Sequence, residues 1–398
     1  MPGNQGTNSE RVVLYAGTGL TLTQYDVDVD GAALTRRGSV QLPASANYGW
    51  QHASKKYLYI ATSDSGSGAV VGAPGNAHHV CAFRIDSATG ALQSHGDPIP
   101  LPQRPIHMTT DIPSEYALIA FNDPSTVIVR RVNRDGTLGE EIKQPAPIEG
   151  GIFAHQVRVA PSNTMAILVT RGHDATRGKP EDPGALKVFK YRDGKLSDCV
   201  SIAPGGGYGF GPRHLDFHPT QPWVYVSLER QHKITAFMLN GDSLSSTPLF
   251  AKDTLAEPDN VRPRQLAGTI HVHPNGRFVY GCERATLNVH GQSVDEYRGG
   301  ENTIVAYAID DRTGEPTLIQ RVDTRGLHPR TFSIDPSGRL MIVAAKSPVM
   351  AKEGGAERYI PASLDLFRIG ADGKLDHVRS YEVDVWNASM FWTGLVRL

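Results

Sequence analysis

FHPTQPWVYVSLE, residues 217–229, recurs in altered form at three other places in the chain. The related stretches are VAPSNTMAILVTR (159–171), VHPNGRFVYGCER (272–284) and IDPSGRLMIVAAK (334–346). Each has a short strand, a turn built on proline with Ser, Asn, Thr or Gly, and a second apolar strand. Because apolar residues alternate and no long segment has a 3.6-residue period, the pattern indicates strands and not helices.

The repeating unit is longer than this pair of strands. A third strand follows each copy, for example KITAFML at 233–239, and a turn and a fourth strand usually come next. Four strands that recur roughly every 45–60 residues are typical of the blades of a β-propeller. The sequence predicts six blades between residues 44 and 383, and a seventh in which residues 12–40 lack one strand.

The C-terminal stretch SMFWTGLVRL, residues 389–398, can supply the missing strand of the N-terminal blade. This pairing would close the ring and remove the exposed edges of an open one. We therefore predict an all-β fold, a single seven-bladed β-propeller domain over residues 11–398, preceded by a disordered tail at residues 1–10.

Composition argues against several classes of function. The 398 residues include 40 Lys and Arg and 41 Asp and Glu, so no overall field attracts nucleic acid or an anionic membrane. Three dispersed cysteines are too few for a disulfide framework or a CxxC metal site. With no secretory signal and no membrane-length apolar run, the sequence predicts a cytoplasmic protein. We predict no cofactor, no metal, and neither nucleic acid nor a membrane as a partner.

Charged residues end the second strand in four consecutive blades. Ten residues after the turn proline, these blades have Arg171, Glu229, Arg284 and Lys346, whereas the other three have uncharged polar residues. Equivalent positions of neighbouring blades lie side by side around a propeller. We therefore expect the four charged groups to converge at one end of the central channel.

The first strand of each pair begins at this same end, because the two strands are antiparallel. Six residues before the proline the sequence has His155, Arg213 and Arg330 in three blades, and the next position has His107 and His214 in two blades. His155, Arg213 and Arg330 should therefore share the rim of the channel with Glu229 and Arg284. Strand alternation does not decide whether Arg213 or His214 faces the channel.

Four long insertions share one face of the predicted ring. They all lie between the second and third strands of a blade, at residues 65–79, 171–184, 284–300 and 346–361. This face is the one that has the charged rim. Since function concentrates on loops held by a rigid scaffold, the insertions could form the wall or lid of a pocket.

Two other histidines are better explained by structure than by function. His218 and His273 align with Asp335 and Ala160 in other copies of the repeat, just before the turn proline. His271 and His273 have metal-like spacing, but no third ligand is nearby in the sequence. We interpret both turn histidines as part of the scaffold.

Three stretches also resemble a known family. GPRHLDFHPTQPWVYVSLE (211–229), GTIHVHPNGRFVYGCER (268–284) and HPRTFSIDPSGRLMIVAAKS (328–347) are similar to the seven-bladed propeller lactonases. That family includes bacterial propeller-type 6-phosphogluconolactonases and fungal 3-carboxy-cis,cis-muconate lactonizing enzymes. The resemblance covers nearly the whole chain. It implies that the family's active-site histidine, two arginines and glutamate correspond to the predicted catalytic residues, His155, Arg213, Glu229 and Arg284.

Hydrolysis of a lactone needs an activated water, a stabilised oxyanion and a proton for the leaving alkoxide. Glu229 or His155 could act as the base, and the sequence leaves this choice open. Arg213 and Arg284 could hold the oxyanion or an anionic group of the substrate, because guanidinium groups bind oxyanions in bidentate fashion. The further predicted substrate-binding residues are His214, Arg171, Arg330, Lys346 and His107.

These features predict a metal-independent lactonase that hydrolyses a small anionic or sugar lactone, in the manner of a 6-phosphogluconolactonase. One alternative is a lactone-forming cycloisomerase of the carboxymuconate type, which would use the same groups, with Glu or His as proton donor. A second is a non-catalytic propeller that binds a protein or peptide and has no need of a Glu–Arg–His cluster. A metal-dependent sugar lactonase would need several converging Asp, Asn or Glu ligands, and only Glu229 and Asn122 are candidates.

Overall fold

A computed structural model describes residues 11–65, 75–262, 265–285, 299–353, 356–386 and 388–398. The predicted tail at residues 1–10 and most of the insertions at 65–79 and 284–300 lie outside the described residues. The strands form seven antiparallel sheets of four or five strands and one separate two-stranded hairpin. Each of the seven sheets is one blade, which confirms the predicted seven-bladed β-propeller.

The strands of blades 1 to 4 follow the order of the chain, except that the innermost strand of blade 1 comes from the C-terminus. Their strands are β1 (Val12–Thr18), β2 (Thr21–Asp28) and β3 (Ala33–Gln41) in blade 1; β4 (Ser45–Gln51), β5 (Tyr57–Ser63), β6 (His78–Ile85), β7 (Leu92–Ser94) and β8 (Ile99–Pro100) in blade 2; β9 (Pro105–Thr110), β10 (Tyr116–Asn122), β11 (Ser125–Val132) and β12 (Leu138–Glu141) in blade 3; and β13 (Ala154–Val159), β14 (Met165–Thr170), β15 (Ala185–Arg192) and β16 (Lys195–Ile202) in blade 4.

A short 3₁₀ helix, Pro204–Gly207, leads into blade 5. The remaining strands are β17 (Pro212–Phe217), β18 (Trp223–Leu228), β19 (Lys233–Asn240), β20 (Ser243–Leu244) and β21 (Phe250–Asp253) in blade 5; β22 (Gln265–Val272), β23 (Phe278–Ala285), β24 (Thr303–Ile309) and β25 (Pro316–Asp323) in blade 6; β26 (Pro329–Ile334), β27 (Leu340–Ala345), the hairpin β28 (Val349–Glu353) and β29 (Ala356–Ile360), β30 (Ser363–Ile369) and β31 (Leu375–Glu382) in blade 7; and β32 (Met390–Arg397).

The ring closes where the sequence predicts. β32 pairs antiparallel with β1, with Val12 opposite Arg397, and becomes the inner strand of blade 1. The inner strands of successive blades then contact one another around the channel, from β32 through β4, β9, β13, β17, β22 and β26 back to β32. None of the helical structure among the described residues has the length and hydropathy of a transmembrane span.

Hydrogen bonds join neighbouring blades of the ring. In four blades a buried tyrosine of the second strand donates its hydroxyl hydrogen to a glycine carbonyl in an outer turn of the next blade. The pairs are Tyr15 with Gly90, Tyr59 with Gly136 (2.9 Å), Tyr225 with Gly314 (2.8 Å) and Tyr280 with Gly373 (2.8 Å). Each acceptor glycine has a positive φ, which a side chain would strain. Apolar clusters fill the remaining space between blades.

A β-bulge interrupts the start of the inner strand in five blades. One residue of this strand has no partner in the second strand, so the pairing steps over it. The bulged residues are Asn47, Ile106, His155, Arg213 and Arg330. In β32 a similar break skips Phe391. A bulge bends the strand locally and re-aims the side chain at that position.

The two turn histidines bind backbone groups, as the repeat predicts. The Nδ1 atom of His218 accepts hydrogen bonds from the backbone of its own turn, at Thr220 and Gln221. Its Nε2 atom lies 2.8 Å from the carbonyl oxygen of Gly276 in the next blade and donates to it. His273 makes the same contact with Gly338. Each histidine therefore joins two blades.

Replacement of His218 by alanine should destabilise the fold by about 1–3 kcal/mol, because buried backbone groups in two blades lose their partner. Urea denaturation followed by tryptophan fluorescence measures this loss. His377→Ala, on the outer strand of blade 7, is the matched control and should change the midpoint little. Equal midpoints for His218→Ala and the wild type would contradict the scaffold interpretation.

Candidate active site

Glu229 lies at the centre of three arginine side chains. Its Oε1 atom forms an ion pair with Arg284 and lies 3.1 Å from Nε of Arg213, while Oε2 lies 2.5 Å from Nη1 of Arg171. The side chains of Glu229, Arg213 and Arg284 are at most 3% exposed. The structure thus brings together three of the four charged strand ends and the bulged arginine of blade 5.

The ionisation of this cluster follows from its charges. Burial raises the pKa of Glu229, but the charges of Arg171, Arg284 and Arg213 outweigh it and hold the pKa well below its usual range. Burial, and then Arg284, lower the pKa of Arg213 to about 9, which still leaves the guanidinium charged at neutral pH. Since both carboxylate oxygens are occupied by cations, Glu229 is a weak proton acceptor.

His155 is the bulged residue of blade 4 and faces the same cluster. Only 7% of it is exposed, and its buried Nδ1 atom has no hydrogen-bond partner among the described residues. Burial, and then the charges of Arg213, Arg330 and two further arginines, lower its pKa well below the usual range. The imidazole is therefore neutral near pH 7, and its unpartnered nitrogen is available to a water or a substrate group.

A second group of cations surrounds the ring of Phe391. The guanidinium carbon of Arg330 lies 3.7 Å from the ring centroid, and that of Arg104 lies 5.8 Å away. Nζ of Lys346 also lies 5.8 Å from this centroid. No carboxylate in the described parts of the chain pairs with any of the three, and two buried nitrogens of Arg104 have no partner there.

Sequence reasoning missed Arg104 and Phe391. Arg104 precedes Pro105 in RPIH, which aligns with GPRH at 211–214 and HPRT at 328–331, but Arg104 then falls opposite Gly211 and His328, so the repeat contains no signal for it. Phe391 falls at the register break of β32. Because it is an aromatic residue in a closing strand, its sequence context alone indicates only packing.

Three buried histidine rings continue from the mouth into the channel. The ring centroids of His155 and His214 are 5.0 Å apart, and those of His214 and His107 are 6.0 Å apart. The ring of His107 packs on Tyr48 with a centroid distance of 3.8 Å. Because the bulge re-aims Arg213, both Arg213 and His214 face the channel. Strand alternation left open which one of these two residues faces the channel, and in the structure both do.

The family of the chain follows from a comparison with known proteins. The model of the family described as lactonase, 7-bladed beta-propeller, matches residues 6–348. The chain belongs to the seven-bladed β-propeller lactonases. A 6-phosphogluconolactonase from Bacillus subtilis is 23% identical over 329 residues, 80% of this chain and 82% of that protein. One from Serratia proteamaculans is 26% identical over 319 residues, 79% of this chain and 81% of that protein.

Solved structures share the fold of this lactonase-family protein. A periplasmic gluconolactonase from Pseudomonas aeruginosa is 20% identical with a TM-score of 0.70, over 97% of this chain and 99% of that one. A Bacteroides uniformis protein has a TM-score of 0.72 at 17% identity, over 98% and 100% of the two chains. The prediction of a lactonase-type enzyme is confirmed by the family and the curated relatives, none of which supports the cycloisomerase alternative.

Arg230 anchors the blade 4 insertion of the lactonase beside the mouth. Its side chain is only 13% exposed. It forms an ion pair with Asp174, lies 3.5 Å from Glu181 and donates to the carbonyl oxygen of Gly172. These contacts hold the insertion next to Arg171, so at least this insertion forms part of the wall of the site.

The charges of the site do not balance among the described residues. Six cations surround the mouth: Arg104, Arg171, Arg213, Arg284, Arg330 and Lys346. Their only ion pairs within the described part of the chain are with Glu229. In the same part of the chain, no group of three or more His, Cys, Asp or Glu residues is arranged to hold a metal ion. The arrangement is suited to binding an anion.

Proposed function

We propose that the protein hydrolyses the lactone of a phosphorylated sugar acid at the mouth of its central channel. The observation that carries this proposal is the excess of cations, above all the group around Phe391, which has no carboxylate partner among the described residues. A phosphate group would supply the missing negative charge. The names of the curated relatives, 6-phosphogluconolactonases, support the same substrate class.

His155 is the proposed general base. It is neutral and has an unpartnered ring nitrogen, whereas both oxygens of Glu229 are bound by arginines. In the proposed reaction His155 takes a proton from a water that attacks the lactone carbonyl. It then returns this proton to the alkoxide that leaves when the ring ester bond breaks.

Arg213 and Arg284 are proposed to stabilise the oxyanion that forms on the carbonyl oxygen. Besides the nitrogen that faces Glu229, Arg213 has one buried nitrogen and Arg284 has two without a hydrogen-bond partner in the described structure. In a buried site such donors stabilise a developing negative charge more strongly than in water. Glu229 is a positioning residue in this scheme, because it fixes the orientation of the guanidinium groups before the substrate binds.

Arg330, Arg104 and Lys346 are proposed to bind the phosphate group of the substrate. The guanidinium carbon of Arg330 lies 3.7 Å from the centroid of the Phe391 ring, a cation–π contact that helps to position the guanidinium. A charge-assisted hydrogen bond contributes about 1.5–3 kcal/mol. Several such bonds would make a phosphorylated lactone bind much more tightly than the same lactone without the phosphate.

A direct test compares hydrolysis of 6-phosphoglucono-δ-lactone, glucono-δ-lactone and a muconolactone by the purified protein, with and without a chelator. We expect the phosphorylated lactone to have the lowest KM and the chelator to have no effect. Arg330→Met should raise KM for it by about 10–100-fold, the value of one charged hydrogen bond. Arg192→Met, at an arginine that is 92% exposed, is the matched control. The proposal fails if the wild type hydrolyses no lactone, or if turnover is lost on chelation.

The affinity for an anionic substrate should fall in mildly alkaline solution. Burial, and then the charges of Arg330, Arg284 and Arg104, lower the pKa of Lys346 to about 8. Below this pH the ammonium group is charged and contributes to binding; as the pH rises through it, the charge is lost and KM rises. A KM–pH profile of the wild type measures this, and Lys346→Met should flatten the rise. Profiles with the same rise in both proteins would assign the effect to another group.

A further inference from the structure

The channel below the mouth contains titratable groups that the proposed reaction does not use. His214 is 5% exposed and its ring lies between those of His155 and His107. His107 is fully buried, and neither of its ring nitrogens has a hydrogen-bond partner among the described residues. Buried polar groups without partners are rare in folded proteins and call for an explanation.

A polar layer lies below these rings. Asp216 follows His214 by two residues on β17, so the two side chains share one face of the strand. Its carboxylate lies 3.2 Å from Nη1 of Arg158 and 3.6 Å from Nδ1 of His271. The side chain of His271 is 32% exposed, so this layer reaches solvent.

Hydrolysis of a lactone at neutral pH releases a proton. Water adds to the carbonyl carbon, the ring C–O bond breaks, and the products are a hydroxyl group and a carboxylic acid, which ionises. His155 gives the proton that it took from water to the leaving oxygen and is then neutral again. It can therefore take the proton of the carboxylic acid, which is the proton that must leave the site. At the mouth, six cations oppose the passage of another positive charge.

We propose that this proton leaves through the channel, from His155 to His214 and on to the layer of Asp216 and His271, with His214 as the proton-transfer residue. The inference rests on the proposed lactonase reaction. A neutral imidazole can accept a proton at one nitrogen and release one from the other. With ring centroids 5.0 Å apart, His155 and His214 are near enough for transfer directly or through one water.

The charges along this path favour movement away from the mouth. Four arginines lower the pKa of His155 after burial, whereas Arg213 is the only arginine among the main causes that lower the pKa of His214. Arg158 and His271 help to hold the pKa of Asp216 below its usual value against burial, so this group is an anion. A proton that moves along the path therefore leaves a strongly positive region and approaches a carboxylate. His107 lies beside the path, near Arg158.

The experiment measures lactone hydrolysis by wild type and His214→Phe at low buffer concentration, after subtraction of the uncatalysed rate. We expect kcat of the variant to fall about tenfold or more with kcat/KM nearly unchanged, because proton release follows the bond-breaking step. Added imidazole buffer, which can take the proton directly, should restore kcat. His214→Gln should behave in the same way, since an amide cannot relay a proton. Ser333→Ala, at the position of Asp216 in blade 7, is the matched control and should not respond to buffer.

The possible outcomes separate this inference from the proposed function. A loss of kcat that is the same at every imidazole concentration would mean a structural role for His214 and would overturn the relay. A variant equal to wild type at low buffer would overturn it too, by showing that the proton leaves another way. If the wild type hydrolyses no lactone at all, the proposed function itself fails.

Discussion

Replacement of His155 by glutamine should lower kcat for lactone hydrolysis by about 10²–10⁴-fold, the usual contribution of general base catalysis. Glutamine fills a similar volume and retains a hydrogen-bonding group, but it cannot accept a proton from water. KM should change little, because the phosphate contacts proposed for Arg330 and Lys346 remain. We expect this because His155 is buried, has a ring nitrogen without a partner among the described residues, and faces the charges of four arginines of the mouth.

Steady-state kinetics on the phosphorylated lactone, with circular dichroism to verify folding, checks this prediction. His95→Gln, in an outer turn of blade 2, is the matched control and should keep full activity. The kcat of the variant should not change with pH over the range in which the kcat of the wild type changes. If His155→Gln retains kcat within a factor of about three, less than any general base contributes, the base lies elsewhere and Glu229 becomes the candidate.

Replacement of Glu229 by glutamine should destabilise the fold by about 3–5 kcal/mol, the cost of leaving buried charges without their counter-ion. Arg213 and Arg284 are almost fully buried, and Glu229 is the carboxylate that pairs with them in the described structure. The pKa of Glu229 is depressed in the folded state, so its contribution is present at neutral pH. It should decline progressively as the pH falls below the ordinary pKa of a glutamate and be gone below the lower folded-state pKa.

Urea denaturation at neutral pH measures this effect, and inorganic phosphate should partly restore the stability of Glu229→Gln by supplying an anion to the arginines. Glu149→Gln removes an ion pair with Lys187 in which the carboxylate is 61% exposed. This matched control should cost less than about 1 kcal/mol. Similar denaturation midpoints for the two variants would show that the arginines do not depend on Glu229.

Much of the fold could be predicted because a propeller repeats one unit. The proline turn and its flanking strands occur in several blades, so each copy supports the interpretation of the others. The closing strand was predictable from the incomplete blade at residues 12–40. The convergence of Arg171, Glu229 and Arg284 was predictable for the same reason, since equivalent positions meet around a ring.

The remaining features of the site depend on local departures from the repeat. Strand alternation assigns Arg213 and His214 to opposite faces, and only a bulge, which has no reliable sequence signature, brings both into the channel. Arg230 was missed because its partners, Asp174 and Glu181, lie in an irregular insertion. Proximity between a loop and a strand end cannot be inferred from the spacing of a repeat.

The bulged positions of the inner strands can vary in sequence more freely than the paired positions beside them. A residue outside the strand ladder has no partner opposite it, so its identity is less constrained by strand pairing than that of its neighbours. Asn47, Ile106, His155, Arg213 and Arg330 occupy equivalent positions, yet they are amide, aliphatic, imidazole and guanidinium groups. Asn47 and Ile106 serve structure, in a backbone hydrogen bond and an apolar cluster, whereas His155, Arg213 and Arg330 face the mouth. At such positions new specificities can arise by single substitutions while the blades stay as they are.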